Sequence, residues 1–266
     1  MKISDIALFL ESLAPLDLQE DYDNCGLLLG SAETDCSGAL ISLDTTEAVI
    51  EEAAEKGCNL VVSHHPLIFR GIKQVSPETG TGRAIISAIR KNIAVYAIHT
   101  NLDNVMPGVN SAIAARLGLE NLRFLLPKTA KDTKEEMVAG SGLIGELPEA
   151  VGETEFLKLL QRQFRIPLIR HTALRGRPVR RVALCGGAGS FLITNALSAE
   201  ADFFITADIR YHEFFEAEGK LVLADIGHYE SEQYTTDLLF DAILKKFPNF
   251  AVLKAGAATN PVHYYK

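Results

Sequence analysis

Over residues 3–13, Ile3, Ile6, Ala7, Leu10 and Leu13 recur every three or four positions, which predicts an amphipathic helix. Residues 39–43 (ALISL) then run apolar without interruption and read as a strand. Asp44-Thr45-Thr46 offers an N-cap, and residues 47–56 return to helical spacing with acids in the first turns. Gly57 closes that helix, and residues 60–63 form the next apolar run. Strand, helix and strand in this order make a βαβ unit, whose two strands lie parallel. Residues 83–91 followed by 93–98 repeat the helix-then-strand order.

The pattern changes over residues 127–141, PKTAKDTKEEMVAGS, which are polar, charged and without apolar periodicity. That stretch reads as a loop or linker. Beyond it, helices predicted at 153–163, 191–197 and 230–246 alternate with strands at 181–184, 202–206, 221–224 and 250–254. ALISLDTTEAVIEEAAEKGCNLVVSHH and VALCGGAGSFLITNALSAEADFFITAD pass through the same succession of elements. Two related lobes would explain the echo, and so would the general likeness of βαβ units. The expected fold class is α/β: two similar α/β lobes with mixed or mostly parallel sheets around a shared cleft carrying a metal site. Residues 1–125 would form the first lobe, with the C-terminal segment available to complete it. Residues 126–141 would be the linker and 142–266 the second lobe.

With 266 residues, 47% of them hydrophobic and 23% charged, the chain has ample material for a core. The formal net charge of −8 opposes nucleic acid as a general partner. Residues 170–181 are a local exception, with Arg170, Arg175, Arg177, Arg180 and Arg181 and no acid. They read as an exposed connector before a nucleic-acid patch. Asp5 and Glu11 interrupt the N-terminal apolar run, which does not resemble a signal peptide, and no run of about 18 apolar residues could span a membrane. The four cysteines are scattered, with no Cys-x-x-Cys pair. Reduced thiols in a cytoplasmic protein are therefore expected.

The residues able to carry chemistry cluster just past predicted strands, where open α/β sheets place their sites. His64-His65 follows the 60–63 strand, and Pro66 prevents simple continuation. His99-Thr-Asn-Leu-Asp103 follows the 93–98 strand. If it stays extended, His99, Asn101 and Asp103 share a face, although Asp103-Asn104 is also good turn chemistry. His228-Tyr-Glu-Ser-Glu232 opens a helix, so His228 and Glu232 sit on one helical face and can address one ion. Acids complementing the helix dipole would account for Glu230 and Glu232 but not for the histidine.

Three histidines and two carboxylates exceed a closed four-ligand site and suit two ions sharing bridging carboxylates and water. Mixed nitrogen and oxygen donors suit two divalent ions drawn from Zn, Mn, Fe, Co or Ni. Two such ions would outweigh Asp103 and Glu232, and the resulting positive site would favour an anionic small molecule. Asp208 and His212, in ADIRYHE, and His99 are candidate proton-transfer or supporting groups. Cys185-Gly-Gly-Ala-Gly-Ser190 is either a phosphate cradle or a tight turn, and it lacks the lysine of a P-loop.

SHHP, HTNLDN, CGGAGS, TADIRYHE and GHYESE, in this order, together with EDYDNCGLLLG, resemble the family of GTP cyclohydrolase 1 type 2 homologues. The same family is described as dinuclear-metal-centre and NGG-interacting-factor-like. The resemblance covers nearly the whole chain. It implies His64, His65, Asp103, His228 and Glu232 as ligands of two metals, two similar lobes, and a toroidal homohexamer with sites facing an internal cavity. Family members often carry Gly where Ala207 stands, which bears on the backbone near Asp208. Some members carry a further domain mid-chain, and the short 127–141 segment implies that this chain lacks it. The expected activity is metal-dependent hydrolysis of a nucleotide or phosphorylated substrate, either GTP cyclohydrolase-like or phosphoesterase. The competing expectation is a metal-stabilised regulatory or scaffold protein without turnover.

Overall fold

A computed structural model describes residues 1–128 and 138–265. Helix α1 (Ile3–Leu13), strand β1 (Gly26–Leu29) and strand β2 (Ala39–Ser42) open the chain. Helix α2 (Glu47–Glu55) leads into β3 (Leu60–Ser63), α3 (Gly80–Arg90) leads into β4 (Ala94–Ala97), and one helical turn follows, α4 (Thr100–Asp103). Next come α5 (Val109–Leu117), β5 (Glu120–Lys128), β6 (Ala139–Val151), α6 (Glu153–Phe164), β7 (Arg170–His171) and β8 (Val179–Ala188). Helix α7 (Ile193–Ser198), β9 (Phe203–Ala207), β10 (Val222–Asp225) and α8 (His228–Glu232) precede a final α9 (Thr235–Lys246) and β11 (Val252–Lys254).

The chain forms two compact units. Unit 1 holds Met1–Leu102 and Thr235–His263, and unit 2 holds Asp103–Tyr234 and Tyr264–Lys266. Residues from both ends of the chain thus share unit 1, and the unit edges fall at 102/103 and 234/235. Residues 129–137, the middle of the stretch read as a linker, lie outside the described residues, and the flanks of that stretch belong to β5 and β6.

Unit 1 is built on a five-stranded sheet in the order β1-β4-β3-β2-β11. Only the β1–β4 pairing is antiparallel. Every residue of β2, β3 and β4 is buried, as expected of parallel strands covered on both faces. Leu40, Val61 and Val95 pack against Val49, Ile50 and Ala53 of α2 and Ala84, Ile85 and Ala88 of α3. Each buried valine, leucine or isoleucine among them contributes roughly 1.5–3 kcal/mol by leaving water. The Thr46 hydroxyl caps α2 by accepting from Val49 N–H at 3.3 Å, so the Asp44 carboxylate is available elsewhere.

Unit 2 carries a six-stranded sheet in the order β5-β6-β8-β9-β10-β7. β8, β9 and β10 are parallel, and the remaining pairs are antiparallel. Its core joins Ala183, Phe204 and Leu223 of those strands to Leu192, Ile193 and Ala196 around α7. Both sheets are therefore of mixed direction, around four adjacent parallel strands in unit 1 and three in unit 2.

Two local expectations are corrected. Residues 230–246 are not one helix: α8 ends at Glu232 and α9 begins at Thr235, with the unit edge between them. The His99–Asp103 segment is not extended. Leu102 N–H donates to the His99 carbonyl at 2.8 Å and the Asn101 Oδ1 accepts from His99 N–H at 3.0 Å, curling the chain into α4. Period-two alternation of His99, Asn101 and Asp103 is lost with it.

Candidate functional site

In unit 1, β2, β3 and β4 end level with one another, Ser42 opposite Ser63 and Ser63 opposite Ala97. The residues that follow therefore emerge side by side at the carboxyl edge of the sheet. The ladder persists for a further step, with His65 N–H donating to the Leu43 carbonyl and Ile98 N–H to the Ser63 carbonyl, both at 2.9 Å. The chain then turns, and the two adjacent histidines converge. The rings of His64 and His65 have centroids 4.9 Å apart, and His99 lies 5.1 Å from the first and 5.3 Å from the second. One ligand atom from each of the three falls within 4.8 Å of the others, a spacing that could hold a metal ion.

Each ring is held through Nδ1. His64 Nδ1 meets the Ile98 carbonyl at 2.9 Å, His65 Nδ1 meets Asp44 Oδ1 at 2.7 Å, and His99 Nδ1 meets Asp23 Oδ1 at 2.8 Å. A carbonyl or carboxylate oxygen can only accept, so the ring proton sits on Nδ1 and the lone pair on Nε2. This is the arrangement that metal-binding histidines adopt through their supporting groups. His64 is fully buried and the other two are partly so.

Asp23 anchors this group from a distant part of the sequence. Its side chain is fully buried, and it also accepts from Thr100 N–H at 3.0 Å, from the Thr100 hydroxyl, and from the Cys25 thiol at 3.2 Å. Burial alone would raise its carboxyl pKa. The hydrogen bonds from His99 and Thr100 outweigh that and hold it far below the ordinary carboxylate range. Burial, reinforced by the Asp23 charge, pushes the Cys25 thiol up to about 12, so Cys25 is a protonated donor and not a nucleophile.

In unit 2, β9 and β10 end opposite each other, Thr206 against Asp225, and Asp208 and His228 follow them. His228 Nδ1 meets Asp208 Oδ2 at 2.8 Å, and His228 Nε2 stands 3.1 Å from Glu232 Oε2 one turn along α8. Metal bonds of about 2.0–2.2 Å set neighbouring ligand atoms roughly 3–3.5 Å apart, so this pair is spaced as two ligands of one ion. Glu232 is buried, while Asp208 is exposed and takes the left-handed backbone conformation with φ 55°. Asp103, the last residue of α4, accepts from Asn110 Nδ2 at its carbonyl, at 3.0 Å.

The glycine-rich turn after β8 serves this set by being small. Gly187 has φ +60°, and a Cβ there would lie 2.3 Å from Glu232 Oε1 and 3.3 Å from the His228 ring. Its N–H groups do not form an open phosphate cradle. Gly186 donates to Asn110 Oδ1 at 2.9 Å, Gly187 to Ser231 Oγ at 3.0 Å and Gly189 to Thr206 Oγ1 at 2.9 Å. His212 is exposed, its ring against Tyr211 and Phe215. The 170–181 arginines meet acids from neighbouring strands and turns: Arg170 pairs with Asp225, Arg175 with Asp202 at 2.7 Å, and Arg181 with Glu200 at 3.4 Å. Those pairings leave little of the apparent basic patch.

Two mixed sheets, each ending in histidine-bearing turns at the carboxyl edge of parallel strands, define an α/β protein with imidazole and carboxylate groups suited to metal. The chain belongs to the Duf34/NIF3 (NGG1p interacting factor 3) family, whose sequence model matches residues 1–261. It is 35% identical over 233 residues to a Clostridium perfringens protein named GTP cyclohydrolase 1 type 2 homolog, covering 87% of each chain. A Campylobacter jejuni protein of the same name is 31% identical over 266 residues, 100% of both chains. Among solved structures, the Staphylococcus aureus protein SA1388 matches with a TM-score of 0.89 and 28% identity, covering 100% of this chain and 99% of that one. Among the described residues no helix is long and apolar enough to cross a membrane.

Proposed function

We propose that the chain binds two divalent metal ions through His64, His65, Asp103, His228 and Glu232 and hydrolyses an anionic small molecule, a nucleotide or other phosphorylated compound. The observation that carries this reading is the shared tethering of His64, His65 and His228 through Nδ1, which leaves Nε2 as the donor on each ring. Family membership supports it, and the name carried by the relatives makes a guanine nucleotide the first substrate to try. When bound, such ions supply Lewis acidity and a water of lowered pKa.

The chain's own residues do the positioning. Asp44 and the Ile98 carbonyl fix the His65 and His64 rings, and Asp208 fixes that of His228. Gly187 makes room for Glu232. His99, Asp208 and His212 complete the reading as supporting or proton-handling groups. The proposed working form is a cytoplasmic homohexamer.

The test is a turnover screen of the Mn-, Zn- and Fe-loaded protein against nucleotides and phosphoesters, with His65→Ala and Glu232→Ala alongside. The expected result is hydrolysis by the wild type and loss of at least about 100-fold in either variant, with folding retained. Metal-replete protein that hydrolyses nothing, and whose variants lose assembly or stability instead, would make it the metal-stabilised scaffold.

A further inference from the structure

Asp23 is a carboxylate whose side chain is fully buried and bonded to a histidine outside the proposed ligand set. It comes from the loop before β1, 76 residues upstream of His99. Five donors converge on its two oxygens: the His99 ring and the Asn24 N–H on Oδ1, and the Thr100 N–H, the Thr100 hydroxyl and the Cys25 thiol on Oδ2. Thr100 is fixed in turn, because its hydroxyl oxygen also accepts from Glu20 N–H at 2.9 Å. Asn101 ties the same turn to the end of α1, donating to the Ala14 carbonyl at 2.7 Å. A side chain that merely filled space would not need this many donors. Burying an ionised carboxylate is costly unless it is fully hydrogen-bonded, and here it is.

The geometry points to Asp23 as a positioning residue for the proposed reaction. It locks His99 with its proton on Nδ1, and so presents Nε2 to the His64–His65 face as the hydrogen-bond acceptor that orients the attacking water. Three facts make the acceptor specific. The ring of His99 lies within 5.3 Å, centroid to centroid, of both neighbouring rings. Its polar partner at Nδ1 among the described residues is a carboxylate, which cannot donate. Phe69 packs edge-on against His99, its ring centroid 6.0 Å away. An imidazole free to choose its tautomer would offer N–H half-heartedly in both directions, whereas one clamped by a carboxylate offers a lone pair in one direction only.

Asp23→Asn is the informative change, because it keeps size but replaces two acceptor oxygens by one oxygen and one NH2. Oδ2 serves three donors and Oδ1 only His99 and the Asn24 N–H, so the new NH2 falls on the His99 side at the cost of the Asn24 bond. The His99 Nδ1 must then accept while its Nε2 carries the proton. The inference rests on the hydrolase reading only for its catalytic consequence, and the experiment separates the two. Nitrogen-15 NMR of the histidine side chains is recorded on metal-free wild type and on Asp23→Asn, followed by metal titration and turnover of both.

The expected result is His99 protonated at Nδ1 in the wild type and at Nε2 in the variant, with equal metal equivalents bound. Turnover is expected to fall about 10–100-fold in kcat with KM little changed. Wild-type His99 protonated at Nε2 would overturn the inference without any variant, which covers the case of Asp23→Asn failing to fold. Loss of a metal equivalent in the variant would overturn it too, by making His99 a ligand. Unchanged kcat despite a switched tautomer would do the same. Absence of turnover in the wild type would instead strike the hydrolase reading, and the tautomer measurement would still stand or fall by itself.

Discussion

The two units offer metal donors by different physical means. In unit 1, three imidazoles stand at the level ends of parallel strands, and each is aimed by a buried or half-buried oxygen. In unit 2, one imidazole is aimed by an exposed aspartate, and its carboxylate neighbour sits where a glycine has removed a side chain. Unit 1 is preorganised by hydrogen bonding and unit 2 largely by vacant space. Substitutions should therefore hurt the two sets through different channels, polar in the first and steric in the second.

The largest effect is expected from Gly187→Val. Its backbone is left-handed, which costs an L-residue about 1–2 kcal/mol, and the added carbons would drive into Glu232. A loss of roughly 2–4 kcal/mol in urea unfolding, with metal binding at His228 and Glu232 impaired, is expected. A variant as stable as the wild type with full metal binding would remove the steric account of unit 2.

Next come the tethers. Asp44→Asn should weaken metal binding about 10–100-fold, the range seen when a group supporting a ligating histidine is removed. Asp208→Asn should cost less, under about 10-fold, because its carboxylate is exposed and water can replace it. Isothermal titration of both variants checks the order, and the reverse order would erase the contrast between the units.

A last effect, on stability alone, concerns the frame of unit 2 and leaves the metal donors alone. Burial would raise the Asp202 carboxyl pKa. The Arg180 N–H, the Arg175 guanidinium and the Arg181 N–H outweigh this and hold it below its ordinary value. A carboxyl depressed in the folded state stabilises the fold above its unfolded pKa of about 3.9. That contribution is lost as pH falls through the lower folded value. Asp202→Asn should therefore cost roughly 1–2 kcal/mol at pH 7 and show a shallower fall in melting temperature below about pH 4. Parallel melting curves for wild type and variant would show the anchor to be unimportant.

Much of unit 1 was legible in the sequence because its signals are local. Uninterrupted apolar runs, the Asp44-Thr45-Thr46 cap and the closing Gly57 mark a βαβ unit, and the histidines lie next to the strands that present them. β5 and β6 were hidden by composition. β6 contains Gly140, Gly142, Gly145 and Pro148, which read as a loop. A Cβ at Gly140 would meet the Leu126 carbonyl at 2.6 Å and one at Gly145 would meet Leu122 at 2.6 Å, so these glycines permit close strand packing. The break between α8 and α9 carries neither Gly nor Pro and coincides with the passage from one unit to the other. Asp23 lies in the EDYDNCGLLLG stretch that carries the family resemblance, but nothing in that stretch signals a histidine so far along the chain. For Gly187, the motif drew attention to its N–H, while the structure uses its missing side chain.

Metal analysis of the purified, metal-replete protein tests the central claim most directly. Two tightly bound divalent ions per chain are expected, falling when either His64 and His65 or His228 and Glu232 are replaced by alanine. Fewer than one equivalent in the wild type would contradict the account.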